Sequence, residues 1–315
     1  MSVDFVNHHV HSHFSPLDGL STPQDIVDRV VEMGQRSVSL TDHGFMSGIP
    51  QMARAAQNAG ISFTPGIEAY FTKDRHMKYP DKLGERYYHM IMLAHTEEGY
   101  RNLVKLQTPS WEEGFYHKPR LDYELLDQYK EGLSITTSCL SGIVNRNLLA
   151  GKYNDARKEL ATLVDIMGKE NVYVELQDNG IEDQNRILSD QLKLAKEFDL
   201  KLLATTDSHY TTKDQAEIHD TLLCCQTKSH KSETHRFKFD TDTCYLHSGE
   251  EMIRSFPEED FPGAVSNTVE LAEKTNFSLK MDKDKELIMP SVKTEDNKSE
   301  ADTLREHVFA GARSP

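Results

Sequence analysis

Apolar positions along the 315-residue chain recur in two patterns. Short runs rich in β-branched and aromatic residues read as strands: FVNHHV (5–10), SVSLTD (37–42), ISFTPGIEAYF (61–71), YYHMIMLA (87–94), LSITTS (133–138), VYVELQ (172–177) and KLLATTD (201–207). Between and after them, helical periodicity covers 22–33, 47–59, 97–108, 152–167, 182–198, 213–226, 248–256 and 263–275. Ser21 or Thr22 caps the first of these, with Pro23 in its first turn, and Gly60 stops the second. Strands alternating with helices predict a parallel sheet. An open doubly wound sheet carries a glycine-rich phosphate loop after its first strand. Here that strand ends in histidines, so the pattern predicts a barrel-like closure.

Beyond residue 280 the pattern fades into a charged, apolar-poor stretch with Pro290, which reads as a linker; 301–313 then begins another helix. An ending in mid-element is the expected signature of a longer polypeptide. The predicted division is a barrel domain over 1–285, then a linker and the start of a following region over 286–315.

Composition narrows the picture only modestly. No run of about 18 apolar residues exists, so neither a membrane-spanning helix nor a membrane partner is expected. The first residues lack a secretory pattern. Cys139, Cys224, Cys225 and Cys244 form no CxxC pair, which suits a reducing cytoplasm. The net charge of −15 argues against unaided binding to nucleic acid, because such affinity rests on neutralising phosphates.

Candidate chemistry gathers at the strand ends. The first ends in His9 and His11, with Asp18 in the next loop; the second ends in Asp42 and His43. The third carries Glu68, the fourth His89; the fifth is followed by Cys139, and the seventh ends at Asp207 and His209. Side chains two apart in a strand share a side, so His9 and His11 pair while His8 points the other way. Singly, each has a plain reading: a turn, a buried thiol, a core histidine. Their shared position at one face of a parallel barrel is the argument for a site. These donors exceed what one zinc ion takes, so two or three ions (zinc, manganese or iron) are expected, and such clusters hydrolyse phosphoesters through a metal-bound hydroxide.

The segments HHVHSHFSPLDG, LTDHG, PGIEAYF, YHMIMLAHTEEGYRNL, GFYHKPRLD, TTSCLSG, VELQDNGIEDQN and TTDSHYTTKDQAEIHDTLLCCQT are quoted in chain order. With AVSNTVELAEKTNFSL, they resemble the polymerase-and-histidinol-phosphatase (PHP) domain of bacterial replicative DNA polymerase III alpha subunits. The resemblance runs from about residue 4 to residue 290. It implies a distorted seven-stranded (β/α)7 barrel with a multinuclear metal site at the C-terminal strand ends. The implied ligands are His9, His11, Asp18, His43, Glu68, His89, Cys139, Asp207 and His209. The implied activity is a metal-dependent 3′–5′ exonuclease that proofreads a DNA primer terminus, beside the remaining polymerase domains and other replisome subunits. Asn7 and His8 depart from the family's usual opening, and no polymerase region follows, so this chain alone is not expected to polymerise DNA. Lys118 and Arg120 are candidate contacts to a substrate phosphate, with an ordinary basic loop as the alternative. Phe115 and Tyr116 are candidates for base stacking or for the core. A metal-stapled scaffold that docks polymerase or proofreading partners, and a small-molecule phosphatase, are the competing functions.

Overall fold

The computed structural model describes residues 3–279, 291–294 and 298–313. They fall into two units, within 1–279 and 280–315. The first contains α1 (Pro23–Glu32), β1 (Ser37–Leu40), α2 (Ile49–Ala59), β2 (Ser62–Phe71), β3 (Tyr88–Ala94), α3 (Glu97–Glu112), β4 (Arg120–Leu121), α4 (Tyr123–Gln128) and β5 (Leu133–Thr136). It continues with α5 (Ile143–Leu149), α6 (Tyr153–Met167), β6 (Val172–Gln177), α7 (Glu182–Phe198), β7 (Lys201–Thr205), α8 (Ala216–Thr227), α9 (Gly249–Ser255) and α10 (Ser266–Glu273). The second holds α11 (Glu300–Ala312). The residue-280 linker falls largely outside the described residues. Among those described, no helix is long and apolar enough to cross a membrane.

Local chemistry explains the boundaries. Thr22 caps α1 in a reciprocal capping box with Asp25, and Pro23 occupies the first turn. Gly60 ends α2 at φ 71°, a left-handed conformation that glycine reaches without a steric cost.

The sheet is mixed, not uniformly parallel. Its order is β1-β2-β3-β5-β6-β7, with β4 also against β2. The β1–β2, β2–β4, β5–β6 and β6–β7 pairs are parallel, but β3 is antiparallel to both β2 and β5. No helix lies between β2 and β3, which is why β3 returns in the opposite direction. The predicted first strand is a correction too. Residues 5–10 form no ladder; Asn7 bridges Val38 and Val10 bridges Ser208, so the segment joins β1 to the stretch just past β7. The fold is a curled mixed α/β sheet in place of a regular (β/α)7 barrel.

Side chains alternate across this sheet. Met90, Met92, Val172, Val174, Leu176, Leu202 and Ala204 belong to the main core cluster, together with Leu160 and Leu163 of α6 and Ile187 and Leu194 of α7. The alternate residues Ile91, Leu93, Tyr173 and Leu203 form a separate cluster with Leu271 of α10. Glu175 falls on that second side of β6, one alternation beyond Tyr173.

Arg120 is corrected by its surroundings. It is 1% exposed, and its guanidinium donates to four main-chain carbonyls: Gly114 (2.9 Å), Arg86 (3.1 Å), Arg75 (2.9 Å) and Met77 (2.7 Å). With its donors spent on the backbone, it is a clamp that ties the long β2–β3 loop to β4. It is not available to a substrate phosphate.

Arg120→Met should therefore cost about 4 kcal/mol in urea unfolding, because several buried carbonyls lose their donors together; a loss near zero would contradict the clamp. His95, just past β3, supplies a pH test. Burial, then Lys274 and His8, pushes its imidazole down to about 3. The unfolded ring takes a proton near 6.5, so the neutral ring's contribution is complete above that pH. It shrinks by about 1.4 kcal/mol per pH unit as pH falls toward 3. Between pH 7 and 5, wild type should lose about 2 kcal/mol relative to His95→Gln.

Candidate metal centre

The amino-terminal loop is the first wall of the site. His9 and His11 face inward, whereas His8 turns away to Ser39 Oγ (2.7 Å) and the Thr268 carbonyl (2.7 Å), and His13 is exposed. After His11 the chain folds into a turn closed by Ser15 and Gly19 N–H bonds to Ser12 and Ser15 carbonyls. A Cβ on Gly19 would stand 1.8 Å from the Ser12 carbonyl oxygen, so only glycine permits the turn that presents Asp18. Asp42 pins the same turn. Its carboxylate accepts from the Ser12 N–H (2.7 Å), Ser12 Oγ (2.9 Å) and Ser15 Oγ (2.8 Å). Ser15 Oγ in turn meets His11 Nδ1 (3.1 Å) and accepts from the His43 N–H (3.1 Å).

Glu68 is the hub. Its carboxylate oxygens lie 2.6 Å from His43 Nδ1, 2.8 Å from His89 Nδ1, 3.3 Å from His11 Nε2, 3.4 Å from His9 Nε2 and 3.7 Å from Cys139 Sγ. His89 is in reach because β3 runs antiparallel, with Tyr70 of β2 opposite it in the ladder. Cys139 arrives on a turn whose carbonyls at Ser138 and Cys139 both accept from Asn145 Nδ2 at 2.9 Å. Asp207 Oδ1 lies 3.1 Å from His9 Nε2 and 3.2 Å from His11 Nε2. Asp18 Oδ2 lies 3.5 Å from His43 Nε2 and 3.8 Å from His209 Nε2. All nine residues named from the sequence thus come together. Donor atoms within 4.8 Å of one another form three overlapping groups: His11–His43–His209, His9–His11–Asp207 and His43–Glu68–His89.

Apart from the bonds that Glu68 Oε1 makes with His89 Nδ1 and Cys139 Sγ, this proximity is not ordinary hydrogen bonding. His9 Nε2, His11 Nε2, His43 Nδ1, His209 Nε2, Asp18 Oδ1, Glu68 Oε2 and Asp207 Oδ1 are all buried without a hydrogen-bond partner. Leaving so many polar atoms unpaired is costly unless something else satisfies them. Imidazole nitrogens, carboxylates and a thiol form a donor set suited to divalent cations. The electrostatics agree. Burial disfavours protonated His9 and His43, yet the facing carboxylates outweigh it and raise both well above the usual histidine range. Burial and nearby His11 push His209 down to about 4, so this ring is neutral and ready to donate a lone pair. The carboxylates therefore favour positive charge at His9 and His43.

Two contributors were not singled out from the sequence. Glu175, fully buried, accepts from His9 Nδ1 (2.7 Å), Thr205 Oγ1 (2.5 Å), Gln177 Nε2 (3.0 Å) and Thr136 Oγ1. It directs Nε2 of His9 toward the other donors, as carboxylates do behind metal-binding imidazoles. The available signal was the alternation of VYVELQ, which puts a carboxylate on the same side as Tyr173. His219 likewise holds the Asp18 carbonyl at 2.8 Å.

A cleft of about 650 Å³ opens over the cluster. Asp18, His43, His89, Cys139, Asp207 and His209 line its wall; His9, His11 and Glu68 do not reach it. Lys118 lines it too, its ammonium 5.1 Å from the Tyr70 ring centroid. Phe115 is 48% exposed, so it is not core, while the Tyr116 ring packs on the Arg120 guanidinium at 5.2 Å.

The chain is 39% identical to the DNA polymerase III subunit alpha of Borreliella burgdorferi, over 86% of this chain and 23% of that one. It is 35% identical to that of Aquifex aeolicus, over 99% of this chain and 28% of that one. It thus spans about a quarter of the length of these curated relatives. Among solved structures, histidinol phosphate phosphatase from Lactococcus lactis, complexed with zinc, L-histidinol and phosphate, aligns at a TM-score of 0.37. That alignment has 15% identity and covers 73% of this chain and 95% of the other. The PHP domain model matches residues 7–179, more than half the chain, and the protein belongs to the PHP domain family.

Proposed function

We propose that this chain is a metal-dependent phosphoesterase, the 3′–5′ exonuclease module of a replicative DNA polymerase. The observation that carries the reading is the set of buried, unpartnered donor atoms converging beneath an open cleft. His9, His11, Asp18, His43, Glu68, His89, Cys139, Asp207 and His209 would hold two or three divalent ions of zinc, manganese or iron. Ions so held supply Lewis acidity and lower the pKa of water. The chain's own part is positional. Glu68 bridges the donor groups, Asp42 and Ser15 orient His11 and the backbone of His43, and Glu175 orients His9. Lys118, which lines the cleft, would hold a substrate phosphate there.

In this reading residues 1–285 are the PHP module and 286–315 lead toward the polymerase region. The remaining polymerase domains and other replisome subunits bring a DNA primer terminus to the cleft in the cytoplasm. The net charge of −15 favours such delivery over unaided capture of DNA, and it equally supports a second reading, a metal-stapled docking scaffold.

Nucleotide release from 3′-labelled single-stranded and mismatched primers separates the two. His43→Ala should lower the rate at least about 100-fold, as should chelation, because both disturb the same donor set. Bound metal without any hydrolysis, and stability lost on chelation, would leave only the scaffold. Glu175→Gln should weaken metal retention by about 10–100-fold in a chelator competition while the fold persists. Undiminished retention would remove Glu175 from the support of His9.

A further inference from the structure

The cleft continues past Tyr87. A second, polar recess of about 280 Å³ adjoins it, and Tyr87, His89 and Ser141 line both. Arg86 and Arg146 complete the recess with Gly84 and Glu85. Its backbone is held on two sides. Asp81 accepts from the main-chain N–H of Leu83 (2.8 Å) and Glu85 (3.1 Å), closing the 81–85 turn. Buried Arg120 donates to the carbonyl of Arg86, fixing the backbone from which that guanidinium extends.

The charges in the recess are unequal. Arg146 directs Nε and Nη2 to Glu85 Oε1, which leaves Nη1 free of that pair. Arg86 is exposed and, among the described residues, pairs with no carboxylate. Two guanidinium groups against one carboxylate give the recess a net positive charge. Such charge matters because Asp18 and Asp207 line the adjoining cleft and the chain carries −15 overall. A polyanion can approach only where local cations offset that field. Lys118 supplies one cation at the cleft; the recess supplies the next.

We propose that Arg86 and Arg146 form a second phosphate subsite, taking the phosphodiester next to the scissile one in a single-stranded polynucleotide. Tyr87, on the boundary between the two cavities, offers its ring to the intervening sugar or base. The inference rests on the phosphoesterase reading of the cleft and sharpens it: the substrate carries at least two consecutive phosphates, which a phosphate monoester does not.

The test uses the 315-residue chain and fluorescein-labelled tetrathymidylate, with binding read by anisotropy in chelator so that the strand survives. Arg86→Ala should weaken binding about tenfold at low salt and flatten the slope of log K against log salt by about 0.7, the loss of one single-strand phosphate contact. Arg86→Lys should keep most of the slope. On metal-loaded protein, the alanine variant's loss of kcat/KM on tetrathymidylate should exceed its loss on bis(p-nitrophenyl) phosphate by tenfold or more. Affinity and slope equal to wild type, with the strand still hydrolysed, would overturn the subsite and leave the phosphoesterase reading standing. A wild-type chain that hydrolyses neither substrate, yet loses strand affinity and slope in Arg86→Ala, would do the reverse.

Discussion

Glu68 is a carboxylate with almost no access to water, and four imidazoles and a thiol lie around it. A buried negative charge is stable only when opposite charge or strong donors compensate it. That requirement organises the molecule. The segments carrying His9, His11, His43, His89 and Cys139 come from widely separated parts of the chain, and each must arrive with a nitrogen or sulfur aimed at one residue of β2. The curl of the sheet is what brings them within a few ångströms.

Behind these side chains lies a second set of restraints. Asp42 holds the turn through Ser12 and Ser15, Asn145 holds the carbonyls around Cys139, and Glu175 holds His9. The interior of the sheet is divided accordingly. Ile91, Leu93, Tyr173, Leu203 and Leu271 pack as an apolar cluster, and Glu175 begins the polar region one alternation further along β6. Low dielectric strengthens each pairing and makes each missing partner costly. The seven unpartnered donor atoms stand out for that reason.

The basic residues divide in the same physical way. Arg120 is covered by protein and spends its donors on carbonyls, whereas Lys118, two residues earlier, lines the cleft. Two positions of one basic motif thus do unrelated work, one holding the backbone and one lining the cleft. Arg120 ties the long β2–β3 loop through the Arg75, Met77 and Arg86 carbonyls, and Asp81 closes the 81–85 turn beside Tyr87.

Much was legible in the linear order. Strand periodicity located β1, β2, β3, β5, β6 and β7, and the residues on and just after the strands, narrowed by the family resemblance, named the nine side chains of the cluster, Glu68 among them. Period two also separated His9 and His11 from His8. Strand direction was not legible: YYHMIMLA has the same periodicity read either way, and only pairing with β2 and β5 shows that β3 is reversed and that His89, near its start, belongs to the site. Residues 5–10 look like a strand but make single bridges, because their backbone groups also bond side chains such as Thr41 and Thr268. Arg120 and Lys118 are alike in sequence and differ in burial, Arg120 enclosed and Lys118 half-buried at the cleft wall. The chain by itself determined which donor groups exist and on which side of each strand they lie, because alternation is a local property of extended backbone. Which of them converge, and which charges remain open to solvent, depended on long-range pairing and burial, and these exist only once the sheet has curled.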